Sequence, residues 1–271
     1  MVTVLEVALI ALLAGAATGL GALPILVAGQ VSHRTYDGAL GLAAGIMVGA
    51  AVFALLVPGL ELGSLGAVGG GFLIGGGFLL VANWAIPHAH LLFAGTDDEP
   101  VRSDAELFPE SEPVEAVDER DDGLRRAMLI GSSITIHNVP EGLAIGIAFA
   151  SGLDEVGVAL AIAIAVQNVP DGFAMAVPAD QAGVSKAKTI LYTTLSGAVP
   201  EPIAAAAGFA LVTVVTGIFP AAAGFAAGAM MAVVFRELIP ASHGHGYADV
   251  STVTFILGFA VMLGVDVGLA V

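Results

Sequence analysis

The sequence predicts an all-α integral membrane protein of eight transmembrane helices, and three observations predict it. Of its 271 residues, 57% are hydrophobic and only 12% are charged, about half the charge of a soluble domain. Apolar stretches near 20 residues long, the length of helix that spans a bilayer core roughly 30 Å thick, recur along the chain. All eight Lys and Arg residues fall on one side of the resulting weave.

Helices are expected over 4–29, 38–58, 64–86, 124–150, 155–178, 187–213, 218–240 and 251–270. Met1 to Val7 contain no Lys or Arg, so they lack the basic region of a cleaved signal peptide, and the first stretch reads as a retained helix. The third helix carries Gly69, Gly70 and Gly71, then Gly75, Gly76 and Gly77. Small residues let transmembrane helices approach closely. No strand–turn–helix pattern surrounds these glycines, so a phosphate-binding loop is not implied. Residues 87–123 hold His88, His90 and a dense run of acids from Asp97 to Asp122. Low hydrophobicity and high charge mark them as an acidic cytoplasmic loop. It divides helices 1–3, in 1–86, from helices 4–8, in 124–271, within one membrane domain.

The basic residues set the orientation. Arg34 lies in the first loop, Arg102, Arg120, Arg125 and Arg126 in or beside the third, Lys186 and Lys188 in the fifth, and Arg236 near the end of helix 7. Cytoplasmic loops collect such residues, so both termini are expected outside the cell membrane. Tyr36, Trp84, Tyr192 and Tyr247 sit near the same side, where interfacial aromatics gather. The absence of cysteine removes disulfides and thiolate sites, and a net charge of −16 argues against a nucleic-acid partner.

Two segments carry the chemistry. His137-Asn138-Val139-Pro140-Glu141-Gly142-Leu143-Ala144 lies in helix 4, and Gln167-Asn168-Val169-Pro170-Asp171-Gly172-Phe173-Ala174 thirty residues later in helix 5. Each falls in the middle of an apolar stretch, near the bilayer midplane. Residues four apart share a helix face, which stacks His137 on Glu141 and Gln167 on Asp171. Asn138 and Asn168 turn away by about 100°. Pro140 cannot donate to the carbonyl of Ile136, nor Pro170 to that of Val166, so both helices are expected to kink. Carbonyls freed at membrane depth line cavities or find other partners.

An acid at the bilayer centre costs about 2.5–3.5 kcal/mol. No Lys or Arg lies within either segment to offset it. A divalent cation supplies the missing charge, and one imidazole, two carboxylates and amide oxygens form a mixed N/O set suited to zinc and other first-row ions. Glu201, in the proline-broken Ala198-Val199-Pro200-Glu201-Pro202, is a candidate for an adjoining site with Asn138, Asn168 and the two acids. Met47 shares a face of helix 2 with Ala43 and Ala50 and reads first as core. A buried polar network that merely holds kinked helices together is the alternative to a metal site.

At these residues the sequence resembles the ZIP family of metal transporters, in particular its GufA-like branch. That family carries a His-Asn-x-Pro-Glu-Gly motif in helix 4 and a related motif in helix 5. The resemblance covers essentially the whole chain. It implies an eight-helix bundle with inverted repeats and a two-metal centre. The first site would fall on His137, Glu141, Gln167 and Asp171, with Met47 approaching. The second would use Asn138, Glu141, Asn168, Asp171 and Glu201. It further implies elevator-like sliding of helices 1, 4, 5 and 6 against helices 2, 3, 7 and 8. Asp171 and Gln167 stand where the family often has Glu and His.

On the cytoplasmic side, Glu237, His243 and His245 are candidates for an exit site, against a plain solvated helix end. The expected function is transport of divalent metal, zinc first, with cadmium, iron, manganese and cobalt as further cargo. The metal is substrate and no cofactor is expected. A proton-linked cation carrier or channel is the standing alternative. An intramembrane metallohydrolase would need three protein ligands and an open position. With no His-Glu-x-x-His and one histidine at membrane depth, no enzyme is expected. For assembly, a homodimer is a candidate beside the monomer, and the sequence does not decide between them.

Overall fold

The computed structural model describes residues 2–27, 31–93, 119–152, 154–181, 183–215 and 217–269, with the side chains of 83–93, 119–134, 266 and 269 outside the description. Every regular element among them is helical. The order is α1 (Val4–Ala16), α2 (Thr18–Ala22) with a 3-10 turn to Leu26, α3 (His33–Ala50), a π-turn (Ala51–Leu56), α4 (Val57–Leu62), α5 (Leu65–Phe93) and α6 (Glu119–Ala150). It continues with α7 (Asp154–Gln181), α8 (Lys186–Ala198), α9 (Pro200–Val214), α10 (Phe219–Val233), a second π-turn (Val234–Leu238), α11 (Ile239–His243) and α12 (Ala248–Leu269).

Seven rods among the described residues are long and apolar enough to cross a membrane: Val4–Leu26, His33–Leu62, Leu65–Ala82, Asp154–Gln181, Lys186–Val214, Phe219–His243 and Ala248–Val265. The chain is a multi-pass membrane protein. The further helix α6 is 32 residues long.

Local chemistry sets the ends of these rods. At α1, Thr3 Oγ1 accepts from the Glu6 N–H at 3.3 Å while the Glu6 carboxylate accepts from the Thr3 N–H at 2.7 Å. This reciprocal cap fixes the first turn. Ser32 caps α3 by accepting from the Thr35 N–H at 3.2 Å. That start precedes the expected residue 38, so Arg34, Tyr36 and Asp37 are helical rather than in a loop. Pro200 has no N–H to continue α8, and the rod Lys186–Val214 restarts there as α9. Gly152, Gly183, Gly217 and Gly246, with φ of 79–87°, make the left-handed turns after α6, α7, α9 and α11. The helical backbone also runs to Phe93 and resumes at Glu119, shortening the expected 87–123 loop at both ends. Both α6 and α7 run through their prolines.

The helices pack as two groups. In one, α12 lies along α3 and α10 along α5; in the other, α9 lies along α6, α2 along α7, and α1 against α8 and α9. Glycine seams hold each group together. Cβ atoms added at Gly71 or Gly75 would overlap the backbone of Ala221 or Phe225 on α10, and at Gly45 that of Phe255 on α12. Likewise Gly142 meets the backbone of Glu201, Gly146 that of Ala205, and Gly172 that of Thr18. All such close approaches between helices join helices of the same group among the described glycines. The groups meet where α7 packs on α3 and α6 on α10. Of the six glycines expected to seat the third helix, Gly69, Gly70 and Gly77 face open space and Gly76 makes only a loose approach to Gly228.

Candidate metal centre

The two repeated motifs and Glu201 meet in one buried place. Helix α6 presents His137, Asn138 and Glu141, α7 presents Gln167, Asn168 and Asp171, and the first turn of α9 presents Glu201 between its two prolines. Asn138, Glu141, Gln167, Asn168 and Glu201 are 0% exposed, and His137 and Asp171 only 6%. The four-residue spacing aligns the members of each motif along their helix. The seam at Gly142 lets the backbone of α9 approach α6 at Glu201.

The amide nitrogens are committed to neighbours. Asn138 Nδ2 donates to the Ser196 carbonyl at 2.8 Å, and Asn168 Nδ2 donates to the Ala14 carbonyl at 2.9 Å and to Glu201 Oε1 at 2.7 Å. Gln167 Nε2 donates to Glu141 Oε1 at 2.5 Å. Spending the N–H groups this way leaves the amide oxygens turned elsewhere. Six buried oxygens have no donor: Asn138 Oδ1, Glu141 Oε2, Gln167 Oε1, Asn168 Oδ1, Asp171 Oδ1 and Glu201 Oε2. Glu141 is within electrostatic reach of both Glu201 and Asp171. Buried polar atoms are nearly always partnered, and each exception asks for a reason. Orphaned acceptors among three carboxyl groups are a donor set for a hard or borderline cation. No trio of His, Asp and Glu among the described residues is gathered closely enough to hold a metal by itself.

His137 also has a partner outside the two motifs. Its Nε2 lies 2.6 Å from Oε2 of Glu237, on the second π-turn. Glu237 was expected at a cytoplasmic exit, and the structure brings it to the central histidine. Met47 is 1% exposed and sits in the main apolar cluster. His243 Nδ1 lies 2.9 Å from the Ile239 carbonyl and 3.0 Å from Ser242 Oγ, within its own helical turn. His245 Nδ1 lies 2.7 Å from Oδ1 of Asp37. Asp37 is fully buried and was not singled out by sequence, because the second helix was expected to begin after it. The side chains of His88, His90, Asp266 and the acids of 97–122 lie outside the described residues.

Comparison with known proteins places this chain in a family. The family model described as ZIP Zinc transporter matches residues 109–266. The chain is 34% identical to "Zinc transporter ZIPB" of Bordetella bronchiseptica, over 94% of this chain and 78% of that protein. It is 33% identical to "Zinc transporter GufA" of Myxococcus xanthus, over 73% of this chain and 72% of the relative. It is likewise 33% identical to human "Zinc transporter ZIP11", over 93% and 94% of the two chains. Proteins of this kind are transporters and not enzymes, which disposes of the hydrolase reading. The chain belongs to the ZIP zinc transporter family and is of the GufA-like type.

Proposed function

We propose that this protein carries divalent metal ions, zinc foremost, across the cell membrane toward the cytoplasm through a midplane centre with two adjoining sites. One observation supports the site: six buried side-chain oxygens on α6, α7 and α9 have no donor, on residues 0–6% exposed. Left without a positive partner, such acids are costly at membrane depth. A divalent ion offsets that cost, and with thiolates absent it is held loosely enough to leave. His137, Glu141, Gln167 and Asp171 form the first site, with Met47 behind it; Asn138, Glu141, Asn168, Asp171 and Glu201 form the second. Cadmium, iron, manganese and cobalt fit the same N/O chemistry as further cargo.

Eight spans, with α6 as the fourth and both termini outside, follow from the one-sided placement of Lys and Arg. We read the bundle as built from inverted repeats, an arrangement common in transporters with midplane sites, and the pairing of α3 with α12 and of α5 with α10 supports that reading. The elevator reading rests on the seams. Among the described glycines, close approaches to another helix's backbone stay within the group of α1, α2 and α6–α9 or within the group of α3–α5 and α10–α12. Each group is thus fitted to move as a body. The metal-holding side chains, Met47 apart, ride on the first group. Glu237, on the second, is placed to receive His137 or its metal on the way out, with His243 and His245 beyond it.

Zinc uptake into proteoliposomes tests the assignment. His137→Ala and Asp171→Ala are each expected to lower uptake at least tenfold while the protein still inserts and elutes as a folded species. Wild-type uptake in both variants overturns the central site.

A further inference from the structure

Pro178, near the end of α7, has no N–H to donate to the carbonyl of Ala174, four residues before it. A carbonyl freed at membrane depth takes another partner or lines a cavity. Ala174 takes its partner from the opposite helix group: the Tyr36 hydroxyl of α3 donates to its carbonyl at 3.4 Å. The Tyr36 ring also meets that of Phe173 on α7, with centroids 6.2 Å apart. His245, in the turn between α11 and α12, stands edge-on to the same Tyr36 ring at 5.6 Å and 90°. His245 is itself held in place. Its Nδ1 lies 2.7 Å from Oδ1 of buried Asp37, and His33 stacks on it with centroids 4.4 Å apart. Tyr36 is thus braced by its own group and reaches the other with its ring and hydroxyl.

We propose that Tyr36 is a latch of the transport cycle: its hydroxyl holds the proline-freed carbonyl of Ala174 and keeps α7 closed on α3 until the two groups slide. The proposal rests on the reading of those groups as separate bodies. Ala174 lies three residues beyond Asp171, toward Gln181 and the end of the bundle that carries Lys186. The latch therefore fixes the register of the helix that presents Gln167, Asn168 and Asp171, on the side toward which metal leaves in the proposed direction. A tie that breaks in every cycle has to be weak and free of interlocked backbone. The contact is longer than the usual ~2.7–2.8 Å of an O–H···O bond, and none of the described glycines seats α3 against α7. A permanent joint looks different. Where α3 meets α12, Cβ atoms at Gly41 and Gly45 would overlap the backbone of Ser251 and Phe255.

Thiol labelling of full-length protein in detergent tests the latch. Ala174→Cys keeps the carbonyl and gives the cysteine-free chain a single thiol. Ala204→Cys on α9, buried to a similar degree, is the control. The rate of modification by a small maleimide is followed by mass spectrometry. A neutral hydrogen bond shifts an equilibrium about two- to tenfold, so Tyr36→Phe should speed labelling at 174 by that factor and leave 204 unchanged. Pro178→Ala is the independent variant, because it restores an N–H that competes with Tyr36 for the Ala174 carbonyl. It should speed labelling at 174 to a similar extent, and the two changes together should give less than the product of their separate effects. A Tyr36 that only fills space shows no such coupling, since Pro178→Ala leaves its ring untouched. Labelling at 174 that is measurable but indifferent to the Tyr36 hydroxyl overturns the latch and leaves the sliding groups standing. Fully multiplicative effects, or equal acceleration at 204, overturn it as well. No labelling at 174 in any variant means that α7 does not part from α3, which overturns the latch and the sliding together.

Discussion

Nε2 of His137 stands 2.6 Å from the carboxylate of Glu237, so the imidazole of the helix-4 motif is engaged by a residue of the opposite helix group. Zinc entering the first proposed site competes with Glu237 for that nitrogen. A hydrogen bond to a charged group contributes about 1.5–3 kcal/mol. Weakening it with Glu237→Gln is expected to tighten zinc binding at the centre about tenfold. Competition against a chromophoric chelator in detergent measures this. Weaker binding would mean that Glu237 is itself a ligand rather than a rival.

Gln167 spends its N–H on Glu141 and leaves its carbonyl oxygen without a donor. It therefore offers the proposed site oxygen where a histidine would offer nitrogen. Imidazole suits zinc, whereas an oxygen-rich set accommodates manganese well. Gln167→His should raise the preference for zinc over manganese several-fold. Uptake of each ion in the presence of the other measures the change, and an unaltered ratio would remove Gln167 from the ligand set.

Hydropathy made the spans legible, because apolar stretches near 20 residues long stand out between short polar links. It placed their ends less well. His33-Arg34-Thr35-Tyr36-Asp37 is polar enough to read as loop, yet Ser32 caps it into α3. Asp37 was overlooked for that reason. The stacking of His137 with Glu141 and of Gln167 with Asp171 was readable from spacing alone. The engagement of His137 by Glu237 was not, since it depends on how α6 packs against α10. One signal was present and unread. Val52-Phe53-Ala54-Leu55-Leu56-Val57-Pro58 and Val234-Phe235-Arg236-Glu237-Leu238-Ile239-Pro240 share their opening Val-Phe, a Leu and the closing Pro, and each contains most of a π-turn leading into that proline. Such turns frequently mark functional positions, and the repeat would have directed attention to Glu237. The six glycines of the third helix look equivalent in sequence. A rotation of about 100° per residue turns only Gly71 and Gly75 fully into the α10 seam.

That seam logic gives a stability prediction. A Cβ at Gly172 would overlap the Thr18 carbonyl and crowd Thr193. Overpacking of this kind costs about 1–3 kcal/mol, so Gly172→Ala should lower the thermal midpoint in detergent by several degrees. Gly77→Ala is the counterpart: nothing lies within 4 Å of its added Cβ, and alanine favours helix by about 0.8–1.0 kcal/mol over glycine. Its midpoint should hold or rise. Equal losses in the two variants would show that the seam at Gly172 yields without cost.

If the two groups move as bodies, tying one to the other stops transport, while a tie within either group does not. The absence of cysteine makes the comparison clean. Tyr36 of α3 and Phe173 of α7 face each other across the division, with ring centroids 6.2 Å apart, and the Tyr36 hydroxyl donates to the Ala174 carbonyl at 3.4 Å. Phe78 of α5 and Phe225 of α10 lie 5.6 Å apart inside one group. Each pair is replaced by cysteines and joined with a short bifunctional thiol reagent that a reductant can cleave. Joining positions 36 and 173 should reduce zinc uptake to background and restore it on reduction. Joining 78 and 225 should leave uptake within about twofold, because packing at the Gly71–Gly75 seam already fixes those helices to each other. Full transport with the first pair joined would require the metal to pass without the groups sliding, and the carrier would then work through side-chain gating alone.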